Sequence, residues 1–161
     1  MATAAGVVRR REGPVGHLLL DRPRRANAYA DRTLEAFERA LAELVAADEV
    51  RVVVVGSAAS GRFCAGADLS ELGRRRAEDA LALRSLEVFD RLASCPKPPI
   101  AAVDGPAFAG GLELALACDL RVASERARFA FPETSLGLIP TAGGCFRLVR
   151  AAGEAVARRM I

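Results

Sequence analysis

Phe108-Ala109-Gly110-Gly111-Leu112-Glu113-Leu114-Ala115-Leu116-Ala117 reads as an apolar helix that opens on two glycines and carries a carboxylate in its first turn. Just before it, Ile100-Ala101-Ala102-Val103 has the look of a short buried strand, turned at Asp104-Gly105-Pro106. Just after it, Leu120-Arg121-Val122-Ala123 is a second strand candidate. A strand, a helix and a strand in that order form the unit from which parallel sheets are built, with right-handed crossovers.

The same alternation extends toward the N-terminus. Gly16-His17-Leu18-Leu19-Leu20 is a strand ending at Asp21-Arg22-Pro23, and Arg51-Val52-Val53-Val54-Val55 is a buried β-branched strand bounded by Gly56-Ser57. Between them, Leu34, Phe37, Leu41, Leu44 and Val45 recur at helical spacing over Asp31 to Ala47. A second amphipathic helix is expected over Ala77 to Ala93, with Leu81, Leu86, Phe89 and Leu92 inward, stopped by Cys95-Pro96-Lys97-Pro98-Pro99. Gly143 to Met160 reads as helix broken near Gly153. The fold class is α/β in a single domain over residues 1–161, with no internal repeat.

Two further segments carry chemistry. Phe63-Cys64-Ala65-Gly66-Ala67-Asp68-Leu69 is a tight small-residue loop after an apolar strand, and Phe131-Pro132-Glu133 supplies a second carboxylate twenty positions beyond Glu113. Backbone N–H groups at two tight turns can meet an oxyanion, and two carboxylates can move protons. That combination suits enolate chemistry at a carbonyl compound. Each piece alone has a plainer explanation: a glycine pair as a tight helix entry, Glu133 as a turn residue, Asp68 as a cap. Glu113 resists the plain explanation, because an ionised group between Leu112 and Leu114 needs a reason to be there.

Composition narrows the classes. The chain has 161 residues, 52% of them apolar, and a net charge of +3 with acids and bases interspersed, so neither nucleic acid nor a membrane is called for. His17 is the only histidine, which leaves no Ser-His-Asp triad or histidine metal site, and it reads as a strand side chain. Cys64, Cys95, Cys118 and Cys145 are widely spaced and read as buried, reduced thiols of a cytoplasmic protein. Cys64 is assigned to packing rather than to attack. Met1 to Gly13 lacks the order of a secretory signal, and no apolar run is long enough to span a bilayer. Arg74-Arg75-Arg76 is read as a solvated helix start in preference to a contact for phosphate or RNA.

With these residues in place, the chain resembles the crotonase superfamily, the enoyl-CoA hydratase/isomerase group. Leu20-Asp21-Arg22-Pro23 with Asn27, the Phe63–Leu69 loop, Pro98 to Gly105, Gly110 to Glu113, Cys118-Asp119, and Pro132-Glu133 followed by Gly137-Leu138-Ile139-Pro140 carry the resemblance. It implies a crotonase-like spiral of β-β-α units and an acyl-CoA thioester substrate. It also implies an oxyanion hole from the N–H groups of Ala67 and Gly110, with Glu113 activating water and Glu133 exchanging the proton at the α-carbon. Substrate contacts are implied for Ala28, Ala65, Gly66, Asp68, Leu69, Gly111 and Pro132. Both carboxylates together favour hydration. The alternatives are double-bond isomerisation or another acyl-CoA lyase reaction, and a catalytically inactive CoA-binding or assembly subunit.

Coenzyme A enters as part of the substrate, so no cofactor and no metal is expected. A homo-oligomer, trimer or dimer of trimers, is implied. Ala109, Tyr29, Cys145 and Phe146 depart from the family's usual residues. The resemblance covers the N-terminal two-thirds of the family pattern, so the C-terminal helical region is expected to be largely absent. Ala152, Val156, Met160 and Ile161 are then expected to lie uncovered. An alanine at position 110 is expected to keep the amide donor and lose little but space.

Overall fold

The computed structural model describes residues 2–74, 76 and 83–161. Two hairpins open the chain. Strand β1 (Ala2–Ala4) turns through Ala5 and Gly6, both at positive φ, into β2 (Val7–Glu12), and Gly13-Pro14 turns β2 into β3 (Val15–Leu20). Two-residue loops with left-handed residues match the twist of antiparallel partners. This antiparallel start was hidden in the sequence, because Arg9 to Glu12 is a charge run on a strand whose buried part is only Val7 and Val8.

From β3 onward the pairing is parallel. Helix α1 (Asp31–Ala46) carries the chain to β4 (Val52–Ser57). A short helix α2 (Leu69–Leu72) and helix α3 (Arg84–Ala93) precede β5 (Pro99–Val103). The segment β6 (Pro106–Phe108), α4 (Gly110–Leu116) and β7 (Leu120–Ala123) completes a six-stranded sheet of order β1-β2-β3-β4-β5-β7. A separate two-stranded parallel sheet joins β6 to β8 (Arg128–Ala130). Helices α5 (Gly144–Ala152) and α6 (Glu154–Met160) follow, parted at Gly153 as the sequence indicates.

The main core lies on one face of the sheet. Leu18, Leu20, Val53, Val55, Ala101 and Val103 alternate inward and meet Leu34, Phe37, Leu41 and Leu44 of α1 and Val88, Phe89 and Leu92 of α3. Each such side chain contributes about 1.5–3 kcal/mol by leaving water. The two strands expected to be buried are buried on that face alone, since Val52, Val54 and Ile100 are half-buried and Ala102 is exposed, and β7 is exposed throughout. Of the expected helix over Ala77 to Ala93, Arg84–Ala93 is helical, while residues 77–82, Leu81 among them, lie outside the described residues.

A second, smaller core joins Leu112, Phe131, Leu148 and Ala157, with Met160 and Ile161 packed against it. Those last two are therefore not left uncovered. The exposed apolar surface sits instead at Leu69, Leu120, Val122, Phe129, Leu136, Leu138, Ile139, Phe146 and Val149.

Candidate active site

The loop after β4 is tied down residue by residue. Cys64 accepts from Phe108 N–H and donates to Pro106 O, while Ala65 N–H donates to Ala26 O. Tyr29 N–H donates to Gly66 O, and Asp68 N–H donates to Tyr29 O. In a parallel bridge of that kind the central residue, here Ala67, turns its own N–H to the opposite side. Behind this loop Asn27, fully buried at φ 56°, accepts from Arg22 N–H at 2.8 Å and donates to Ser57 Oγ at 2.8 Å and Phe63 O at 2.9 Å. Asn27 is thus the hub that fixes the loop's entry.

Helix α4 starts against this loop. Its glycines are close-approach positions: a Cβ on Gly111 would lie 2.0 Å from Cys64 O, and one on Gly110 would lie 1.9 Å from the Tyr29 hydroxyl. Tyr29 is buried and packs edge-on to Phe89 at 5.7 Å, so it does not yield freely. An alanine at 110 is therefore not the mild change expected from sequence. Ala109, just before the helix, holds φ 50° and ψ −128°, a conformation that suits glycine. As the first helical residue, Gly110 has no intrahelical acceptor for its N–H.

A cavity of about 830 Å³ runs along these segments. Its wall includes Ala28, Ala65, Ala67, Asp68, Leu69, Gly110, Glu113, Pro132 and Glu133. Nine of the eleven expected site residues thus share one cavity. Gly66 and Gly111 stand behind the wall: Gly66, at φ 97°, packs on Ala109 and the Gly110 amide. Asp68 is on the wall but is also bound to its own neighbours, accepting from Ser70 N–H and Oγ and from Arg22 at 3.1 Å. Its hydrogen bonds, first of all that from Ser70, hold its pKa below the ordinary carboxylate value. Arg25 and Arg76 line the same cavity, whereas Arg74 is exposed and Arg75 lies outside the described residues.

The two carboxylates are held differently. Glu113 is buried, and its Oε1 accepts from Ala142 N–H at 2.7 Å and Gly144 N–H at 2.8 Å. Burial pushes its pKa up to about 7, against the pull of those two amides. Glu133 sits in a 3-10 turn (Glu133–Leu136) after Pro132, and its Oε2 is buried with no hydrogen-bond partner among the described residues. Burial raises its pKa as well.

The glycine pair at Gly143-Gly144 was not marked in the sequence as a carboxylate holder, although it repeats the pattern of Gly110-Gly111 ahead of a helix. Arg147, too, gave no signal within its amphipathic helix. The thiols divide: Cys64 and Cys118 are buried with pKa values pushed up to about 12 by burial, while Cys95 is half-buried and Cys145 exposed, contrary to the expectation of four buried cysteines. Cys64 Sγ donates to Asn27 O at 3.2 Å, a packing role. His17 faces out from β3 beside Glu12. Among the described residues no helix is long and apolar enough to cross a membrane, and no group of three or more His, Cys, Asp or Glu is placed to hold a metal ion.

The sequence pattern of enoyl-CoA hydratase/isomerase matches residues 10–161. A bovine (Bos taurus) enoyl-CoA hydratase domain-containing protein 2, mitochondrial, is 44% identical over 149 residues, which is 91% of this chain and 50% of the relative. A short-chain-enoyl-CoA hydratase from Clostridium acetobutylicum is 38% identical over 96% of this chain and 60% of its own length. A crystal structure of an enoyl-CoA hydratase from Bacillus anthracis superposes with a TM-score of 0.91 at 34% identity, over 97% of this chain and 62% of that one. The chain thus spans about half to two-thirds of the proteins it matches, and it carries their α/β crotonase fold.

Proposed function

The chain belongs to the enoyl-CoA hydratase/isomerase family, and from that premise we propose that it adds water across the 2,3 double bond of a 2-enoyl-CoA thioester. One observation carries this reading: Glu113 and Glu133 line a single cavity together with Ala67 and Gly110. In the proposed reaction the thioester oxygen accepts from the Ala67 and Gly110 amides. Water gives a proton to ionised Glu113 as its oxygen bonds to C3. The C2=C3 electron pair moves toward the thioester as an enolate, and C2 takes a proton from protonated Glu133. Two amide donors aimed at the developing oxyanion stabilise it by a few kcal/mol each, about 2.7–4 in measured cases.

The proposal gives both carboxyls a part in proton transfer. Both carboxyls have raised pKa values through burial, and the Glu133 charge adds to the rise at Glu113. The Ala142 and Gly144 amides favour the charged form of Glu113 against its burial. The reading needs no metal or redox group, since coenzyme A arrives within the substrate. It takes a homo-oligomer, trimer or dimer of trimers, working in the cytoplasm.

Incubation with crotonyl-CoA tests the proposal. Loss of the conjugated thioester with formation of the 3-hydroxyacyl product is the expected outcome. Conversion of a 3-enoyl to a 2-enoyl thioester without hydration would replace it with isomerisation. Binding of CoA thioester without turnover would point to an inactive assembly subunit.

A further inference from the structure

Arg147 of α5 is buried, and a buried guanidinium requires partners. It has two. Nη1 donates to Ala142 O at 2.9 Å, and Nη2 donates to a carboxylate oxygen of Asp90 on α3. The Ala142 carbonyl belongs to the peptide that lies between the two peptides whose N–H groups bind Glu113 Oε1. The turn is wedged between cation and carboxylate. A Cβ on Gly143, at φ 102°, would fall 2.1 Å from Arg147 Nη1, and one on Gly144 would fall 3.0 Å from Glu113 Oε1. Three helices are joined in this way: α3 through Asp90, α5 through Arg147, and α4 through Glu113.

We propose that Arg147 is a positioning residue that clamps the Ala142–Gly144 turn onto Glu113, with Asp90 anchoring the clamp at its solvent end. The inference deepens the hydration reading, in which Glu113 must be ionised to take a proton from water. With both amides in place, the charged carboxylate is favoured against its burial. With the clamp loosened, the amides drift and Glu113 holds its proton to higher pH. The charged and titratable groups around Glu113 are Glu133 on its turn and Arg147 and Cys145 on α5, so the clamp acts against a neighbour that also resists ionisation.

Asp90→Asn separates a clamp from simple through-space electrostatics, because the two predict opposite signs. Removing a negative charge from the vicinity would lower the Glu113 pKa or leave it alone. Releasing the arginine would raise it. Arg147→Lys is the companion variant, keeping the charge but losing the fork that spans both acceptors. The side chain of Asp90 is 56% exposed, so its replacement leaves the core intact.

The direct readout is the carboxyl titration of Glu113 by carbon-detected NMR, with exchange of the Ala142 and Gly144 amides followed in the same samples. We expect the Glu113 midpoint to rise by about one pH unit in both variants, with faster exchange at both amides. An unchanged or lowered midpoint in Asp90→Asn, with unchanged amide exchange, would overturn the proposal. Neither readout depends on turnover. A raised midpoint in a protein that fails to hydrate any thioester would therefore sustain the clamp while sinking the hydratase reading.

Discussion

Helices α4 and α5 both begin on glycine pairs, yet the two pairs put their amides to different uses. At α4, Gly110 and Gly111 are glycines because the Tyr29 hydroxyl and Cys64 carbonyl press against them, which brings the first amide of the helix to the cavity wall. At α5, Gly143 turns the chain at φ 102° and the amide of Gly144 goes to Glu113 Oε1. One pair leaves an amide at the cavity wall, and the other gives its amide to a carboxylate. What lies across from a glycine pair, rather than the pair itself, decides its use.

The comparison makes the carboxylate between the two turns the most sensitive point. Glu113→Gln and Glu133→Gln are each expected to cut crotonyl-CoA hydration by about 10²–10⁴-fold, with thioester affinity within a few-fold of wild type. Turnover and equilibrium binding measured on the same preparations check both halves. Near wild-type turnover in either variant would remove that residue from the chemistry.

The α4 turn is probed next. Gly110→Pro deletes the amide and is expected to lower turnover by about 10²–10³-fold. Gly110→Ala keeps the amide but collides with Tyr29, so its loss should be partly recovered by Tyr29→Leu, which clears the hydroxyl. Failure of the second substitution to help would show that Tyr29 is not the obstacle.

Burial of Glu113 also sets a pH dependence of stability. The unfolded carboxyl ionises near the ordinary 4.5 and the folded one at about 7. Between those values the folded protein holds a proton that the unfolded chain has lost. Stability from this group is therefore greatest below 4.5 and falls as pH rises toward 7, by on the order of 3 kcal/mol in all. Glu133 pulls in the same direction. Urea unfolding of wild type and Glu113→Gln across this window should show the variant losing less stability with rising pH. Parallel curves would mean that Glu113 is not desolvated as described.

At the α5 turn, Gly144→Ala places a methyl 2.7 Å from Phe131 Cζ and Pro140 Cβ. Overpacking of this kind costs about 1–3 kcal/mol and should appear as a lowered urea midpoint. The smallest expected effect is a gain. Ala109→Gly relieves the backbone at φ 50°, ψ −128° and should raise stability by about 1 kcal/mol, after the extra freedom glycine brings to the unfolded chain. A lower midpoint in that variant would show the alanine methyl to be doing more than straining the turn.

The two turns also mark how far the sequence could be read. Strands β4 and β5, helix α1 and the start of α4 announce themselves by apolar spacing and by a glycine pair beside a carboxylate. Those signals are local; the family resemblance linked Glu113, Glu133, Ala67 and Gly110 as one site, and in the structure the four line one cavity. What holds Glu113 is not local. Its amide donors lie twenty-nine and thirty-one residues away, and the arginine that grips their turn reaches fifty-seven residues back to Asp90. Asn27 likewise works through partners thirty and thirty-six residues on. The β6–β8 pair escaped for a different reason: three residues each, with two apolar side chains apiece, carry too little periodicity to register.

The most direct test of the account asks whether the α4 turn, and not the α5 turn, acts on a bound thioester carbonyl. Isotope-edited infrared spectroscopy of an unreactive acyl-CoA labelled at the thioester C=O reads the polarisation of that bond without turnover. A shift to lower frequency is expected on binding to wild type, with a similar shift in Gly144→Ala and little or no shift in Gly110→Pro. Equal shifts in wild type and Gly110→Pro, with the ligand shown to be bound in both, would contradict it.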